Sequence, residues 1–150
     1  MIFTIIFQIF SAAIVAAAFG VLFNVRGKNL FFIGLNGFLG YLVYSVAVHY
    51  GYESYIGMFF ASLIMAVYSE MAARFRKAPA STFLVAALIP IVPGGGMFRS
   101  VLILLQGDFA YAGIIALNTV LEAGAIAISI IIVSSVITLH PPIQSNDTPR

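Results

Sequence analysis

The sequence predicts an all-α integral membrane protein with about five transmembrane helices, the fourth broken at residues 90–96. Three observations predict it. The chain is 62% hydrophobic and only 8% charged, with a mean hydropathy of +1.09, whereas a soluble domain carries about 25% charged residues. Five apolar runs each approach or exceed the roughly 20 residues that one crossing needs. Finally, the basic residues fall in alternate connections, as they do in multi-pass proteins. A single transmembrane domain over residues 1–139, followed by a short polar tail at 140–150, accounts for the whole chain.

The first span covers residues 2–23. Ala16, Ala17 and Ala18 resemble a small-residue cleavage site, but no basic segment precedes the run and the apolar stretch continues past it, so a span is expected rather than a signal peptide. A polar break over 24–29 carries Arg26 and Lys28. The second span is 30–50 and the third 55–73, separated by Gly51, Tyr52, Glu53 and Ser54, without Lys or Arg. Arg74, Arg76 and Lys77 follow the third. The fourth span is 81–105, and Gln106, Gly107 and Asp108 form the next turn. A long fifth span, 110–139, is stopped by His140, Pro141 and Pro142, and Arg150 ends the tail. With five crossings, Arg26, Lys28, Arg74, Arg76, Lys77 and Arg150 share one face. The positive-inside rule makes that face cytoplasmic, the N-terminus outside and the C-terminus cytoplasmic. The expected location is a cell membrane, inner or plasma, and the lipid bilayer is a partner of the chain. A fourth segment that re-enters instead of crossing would put the tail outside.

The first span carries Ala12, Ala16 and Gly20 at steps of four, and the second carries Gly34, Gly37 and Gly40. Small residues at such spacing allow close helix packing in lipid, and would equally serve contact with a second copy in a homo-oligomer. Net charge is +2 with the charges few and scattered, so no nucleic-acid partner is expected. The chain has no cysteine, which removes disulfides and thiolate chemistry. No residues stand at metal-ligand spacing, His49 has no companion for catalysis, and no cofactor is implied. The chain reads as a non-enzyme.

The fourth span is the irregular one. Pro90 and Pro93 remove backbone donors, and Gly94, Gly95 and Gly96 hold a helix poorly, so two half-helices should meet near the bilayer centre. Backbone left unpaired at that depth must be buried in protein or line a wet cavity, and broken helices of this kind hold substrate in secondary transporters. The second half-helix would direct bare N–H groups toward an anion. Arg99, a turn further on, needs a partner or water. Glu122, in the middle of the fifth span, is the expected partner or a proton-coupling acid. It lies on a stripe formed by Tyr111, Ile115, Asn118, Glu122, Ala125 and Ser129. Glu70 is a second intramembrane acid, able to pair with Arg74 at i+4 or to take part in coupling.

Residues 74–99, "RFRKAPASTFLVAALIPIVPGGGMFR", resemble the threonine/serine exporter family, whose pattern is a basic loop with a proline, then a span ending in P-[LI]-[VL]-P-G and an aromatic. Pro90, Ile91, Val92, Pro93, Gly94 and Phe98 match that run. Ile91 stands where leucine is commoner, and the triple glycine is richer than the pattern. The number and order of spans is similar to the small five-span component of the family. The resemblance implies export of threonine, serine or related small carboxylates, driven by the proton motive force, with a larger companion membrane subunit. A zwitterionic amino acid needs an anion site and a cation site. Gly94, Gly95 and Gly96, flanked by Pro93 and Phe98, would hold the carboxylate with Arg99. Glu122 or Asn118 would hold the ammonium or hydroxyl. A channel-like or structural membrane subunit without coupled transport is the alternative.

Overall fold

The computed structural model describes residues 2–138, and the expected tail at 140–150, with Arg150 and the stop at His140, lies outside them. Every regular element described is helical: α1 (Ile2–Leu22), α2 (Lys28–His49), α3 (Ser54–Arg76), α4 (Ala80–Leu88), a 3-10 turn at Ile89–Ile91, α5 (Gly94–Leu105) and α6 (Phe109–Thr138). Four helices are long and apolar enough to cross a membrane, and the pair formed by α4 with its 3-10 turn and α5 makes a fifth, bent by 42°. The protein is a multi-pass membrane protein.

The ends of these helices are set by local chemistry. Asn24, Gly51, Lys77 and Gly107 all take left-handed φ angles, of 60°, 85°, 51° and 91°. At each, the next N–H reaches back five residues to a carbonyl, from Val25 to Gly20, Tyr52 to Ala47, Ala78 to Ala73 and Asp108 to Ile103. This is the Schellman arrangement, which satisfies carbonyls that a helix end would otherwise leave bare. Basic α3 therefore continues three residues beyond the expected 73, because Arg74 and Arg76 suit its C-terminal dipole. Asp108 starts α6, its Oδ1 accepting the Tyr111 N–H at 3.0 Å.

The helices α1, α2 and α3 pack in sequence, and α4 lies across all three. Close approach rests on the small residues. A side chain at Gly37 would strike Ala16 and the Ala12 carbonyl, and one at Gly34 would crowd the Ala13 carbonyl. Gly40 faces Met65 of α3 instead. The small-residue stripes thus join α1 to α2 and α2 to α3 within one chain. Asn36, fully buried, clamps the centre: its Nδ2 donates to Ser69 Oγ at 2.8 Å and to the Met65 and Phe83 carbonyls at 3.3 Å. One amide side chain therefore ties α2 to both α3 and α4. Ile33, Met65 and Phe83 are fully buried around it.

The last two helices are attached differently. Helix α6 packs along α3, and α5 packs on α6. Ser62 and Ser129 share a hydrogen bond of 2.5 Å, while Tyr55, Ile56 and Phe59 share a groove with Val120, Leu121, Gly124, Ala125 and Ile128. Residue numbers rise in the same direction on both helices, so α3 and α6 are parallel. Parallel α3 and α6 require the α4–α5 pair between them to cross, which makes it a broken span and not a re-entrant loop. The same register carries the first dozen residues of α6 beyond the start of α3, an overhang of roughly 18 Å at 1.5 Å per residue. Helix α5 leans on that overhang and buries none of its own residues.

Candidate functional site

Between α5 and the overhanging half of α6 lies a cavity of about 340 Å³, lined by Gly96, Arg99, Ile103, Tyr111, Ile115, Asn118, Thr119 and Glu122. Its polar character is unlike that of the grooves at Phe10–Phe38 and at Tyr55–Ile128, whose linings are nearly all apolar. Three facts about the local chain create it. Proline at 90 and 93 ends α4 and its 3-10 turn, and Pro93, at ψ 48°, redirects the chain into α5. No side chain caps the new helix. The Gly94 N–H bonds the Val92 carbonyl and the Met97 N–H bonds the Pro93 carbonyl, which leaves the Gly95 and Gly96 N–H groups without a partner among the described residues. Gly96 then lets α5 meet α6, because a Cβ there would collide with the Thr119 hydroxyl.

Four of the expected site residues line this one cavity: Gly96, Arg99, Asn118 and Glu122. The others lie elsewhere. Gly94 and Gly95 are exposed with open space around them, Pro93 is buried in the break, and Phe98 points outward at 69% exposure. Glu70 is half-buried on α3 among residues that do not reach the cavity, and it forms no ion pair with Arg74. Arg99 and Glu122 face the same space without an ion pair within 4.0 Å, so the expected Arg99–Glu122 bridge is not formed. One polar residue of the site carried no weight in the sequence. Thr119 is buried and its hydroxyl donates to the Ile115 carbonyl at 2.8 Å; only the facing glycine of α5 gives it meaning. Tyr111 was legible as the first member of the α6 stripe.

That stripe divides. Tyr111, Ile115, Asn118 and Glu122 face α5, whereas Ala125 and Ser129 face α3. The depth also differs from expectation. Two turns back from Ser62 and Ser129 lie Tyr55 and Glu122, so Glu122 is level with the start of α3 and not with the middle of the bundle. Gly96 meets Thr119, further out still. The break therefore sits toward the end of the bundle where α3 begins. Centring each apolar run on its own midpoint hides this offset, because the first half of α3 is matched to the second half of α6. Among the described residues, no group of acids and histidines could hold a metal.

A family model described as "Threonine/Serine exporter, ThrE" matches residues 8–136. A protein of Haemophilus influenzae, named only as an uncharacterized protein, is 26% identical over 102 residues. That alignment takes in 68% of this chain and 34% of the relative, so the chain spans about a third of the length of the curated relative it matches. No solved structure matches the chain significantly.

Proposed function

The chain belongs to the threonine/serine exporter family, and from that membership we propose that it is the membrane subunit of a secondary exporter for threonine, serine or similar small carboxylates. The observation that carries the reading is the cavity between α5 and α6. It gathers one cation, one anion, an amide and two hydroxyl-bearing side chains in a chain that is only 8% charged. A zwitterionic amino acid has complementary groups. Arg99 and the free Gly96 N–H would take its carboxylate, Glu122 its ammonium, and Asn118 or Thr119 a side-chain hydroxyl. Because Arg99 and Glu122 do not neutralise one another, each is available to the ligand.

Export in this reading is proton-coupled, with Glu122 exchanging a proton for the ammonium group. Arg99, Tyr111 and Asn118 of its lining are exposed, and a larger companion subunit would close the cavity over them. With the basic loops cytoplasmic, the cavity lies toward the outer face, and it would serve as the release side of the pathway. Support for that orientation is the absence of Lys and Arg from residues 50–54 and 106–108.

The test is transport by the chain co-expressed with its companion, measured in vesicles with and without an imposed proton gradient. Gradient-dependent movement of labelled threonine or serine is expected. Flux indifferent to the gradient would instead favour a channel-like subunit. Wild-type efflux in an Arg99→Ala variant would remove this cavity from the pathway.

A further inference from the structure

At the opposite end of the bundle the connection between α1 and α2 meets that between α3 and α4. Arg76 Nε donates to Asn29 Oδ1 at 2.8 Å, and the guanidinium carbon lies 5.7 Å from the centre of the Phe32 ring. Phe32 is itself packed on Phe75, with ring centres 6.0 Å apart. The guanidinium is thus held along one edge and supported on one face. Its two terminal amino groups have no partner among the described residues. An arginine fixed in this way is a ready fork for a pair of phosphate oxygens, and its geometry is one that lysine does not reproduce.

The Asn29–Arg76 bond also draws together two stretches of like charge. Lys28 adjoins Asn29, Lys77 adjoins Arg76, and Arg26 and Arg74 stand close by in sequence. All four are exposed, and none forms an ion pair among the described residues. Residues 23–29 and 74–80 contain no Asp or Glu, and the nearest acid on α3 is Glu70, more than a turn back along the helix. Two exposed rings, Phe31 and Phe75, flank the joint at the start of α2 and the end of α3. Cations with no counter-charge, set beside apolar rings at the level where spans end, match an anionic lipid in both of its parts.

We propose that this joint is a binding site for the headgroup of an anionic phospholipid. Arg76 grips the phosphate, Lys28 and Lys77 with Arg26 and Arg74 supply the field that selects a net negative headgroup, and Phe31 and Phe75 contact the upper acyl chain. The site is independent of the exporter reading and would tie α1–α2 to α3–α4 at the membrane surface.

The experiment uses delipidated full chain in neutral detergent, titrated separately with phosphatidylglycerol, phosphatidylcholine and inorganic phosphate. Bound lipid is counted by native mass spectrometry and thermal unfolding is followed in parallel. Phosphatidylglycerol should remain bound and raise the unfolding midpoint, while the zwitterionic lipid and free phosphate should not. Arg76→Lys should weaken phosphatidylglycerol binding by about tenfold. The exposed double variant Lys28→Gln/Lys77→Gln should weaken it as well, so the proposal stays testable if the Arg76 variant folds poorly. Equal stabilisation by both lipids, saturation of the effect by phosphate alone, or unchanged binding in both variants would overturn it.

Discussion

The hydroxyls of Ser62 and Ser129 meet at 2.5 Å between α3 and α6, and this contact fixes how the second half of the protein stands against the first. One hydroxyl donates to the other, which donates in turn to a carbonyl of its own helix, and each has such a carbonyl within reach, Ser62 that of Met58 and Ser129 that of Ile126. Neither is left bare if the other is removed, so the pair sets register more than stability. Interhelical hydrogen bonds of this sort contribute about 0.6 kcal/mol on average.

The parallel register can be read by cross-linking, since the chain has no native cysteine. Ser62→Cys with Ser129→Cys should form a disulfide readily on mild oxidation. Ser62→Cys with Leu121→Cys, about two turns out of register, should not, because such bonds need Cα atoms within about 7 Å. Electrophoresis after proteolysis between α3 and α6 distinguishes the two.

Gly96→Ala should force α5 from α6, because the added Cβ meets the Thr119 hydroxyl. Overpacking of this kind costs about 1–3 kcal/mol, visible as a lower unfolding midpoint in detergent. Pairing it with Thr119→Ala should restore most of the loss. Recovery of the midpoint without recovery of transport would show the Thr119 hydroxyl acting on substrate.

Arg99→Ala should abolish transport and Glu122→Gln should abolish net efflux, each changing stability by no more than about 0.5 kcal/mol. Neither side chain has an ion-pair partner to lose, and Arg99 is exposed. If Glu122 carries the coupling proton, Glu122→Gln should retain substrate exchange without a gradient and lose gradient-driven efflux. Counterflow and net-efflux assays on the same vesicles separate these.

Asn36→Leu should cost less than its burial suggests, about 1 kcal/mol. Its acceptors keep other partners: the Ser69 hydroxyl still donates to the Met65 carbonyl, and the Met65 and Phe83 carbonyls lie within regular helices. The substitution also removes Asn36 Oδ1, a buried oxygen that has no hydrogen-bond partner. A loss of several kcal/mol in thermal unfolding would mean that the amide holds α4 in place unaided.

The spans and the break were legible because both follow from local composition. Apolar runs, alternate basic loops and the prolines at 90 and 93 mark them without reference to a neighbour. Arg99, Asn118 and Glu122 stood out for a similar reason, as polar groups in apolar runs. What could not be read was anything that depends on relative height. Glu122 is central within its own helix, yet the Ser62–Ser129 contact slides that helix outward until Glu122 meets the start of α3. Thr119 was hidden because its importance is a distance to Gly96, and a sequence holds no distance between two helices. Gly94 and Gly95 were named beside Gly96, but only the third glycine faces a neighbour.

The offset between α3 and α6 has a consequence for the membrane itself. At 1.5 Å per residue, 23 residues of α3 span about 35 Å and 30 residues of α6 about 45 Å, against a hydrocarbon layer of about 30 Å. A lone long helix can tilt to fit, but α6 is packed along α3, and the two tilt together. Tilting therefore leaves their difference in length unchanged. A bilayer matched to α3 leaves the α5–α6 hairpin standing in the headgroups, and one thick enough for α6 draws the start of α3, next to Glu53, toward hydrocarbon. A difference in span length is built into the fold, and the thickness of the surrounding lipid would then set the hydration of Arg99 and Glu122.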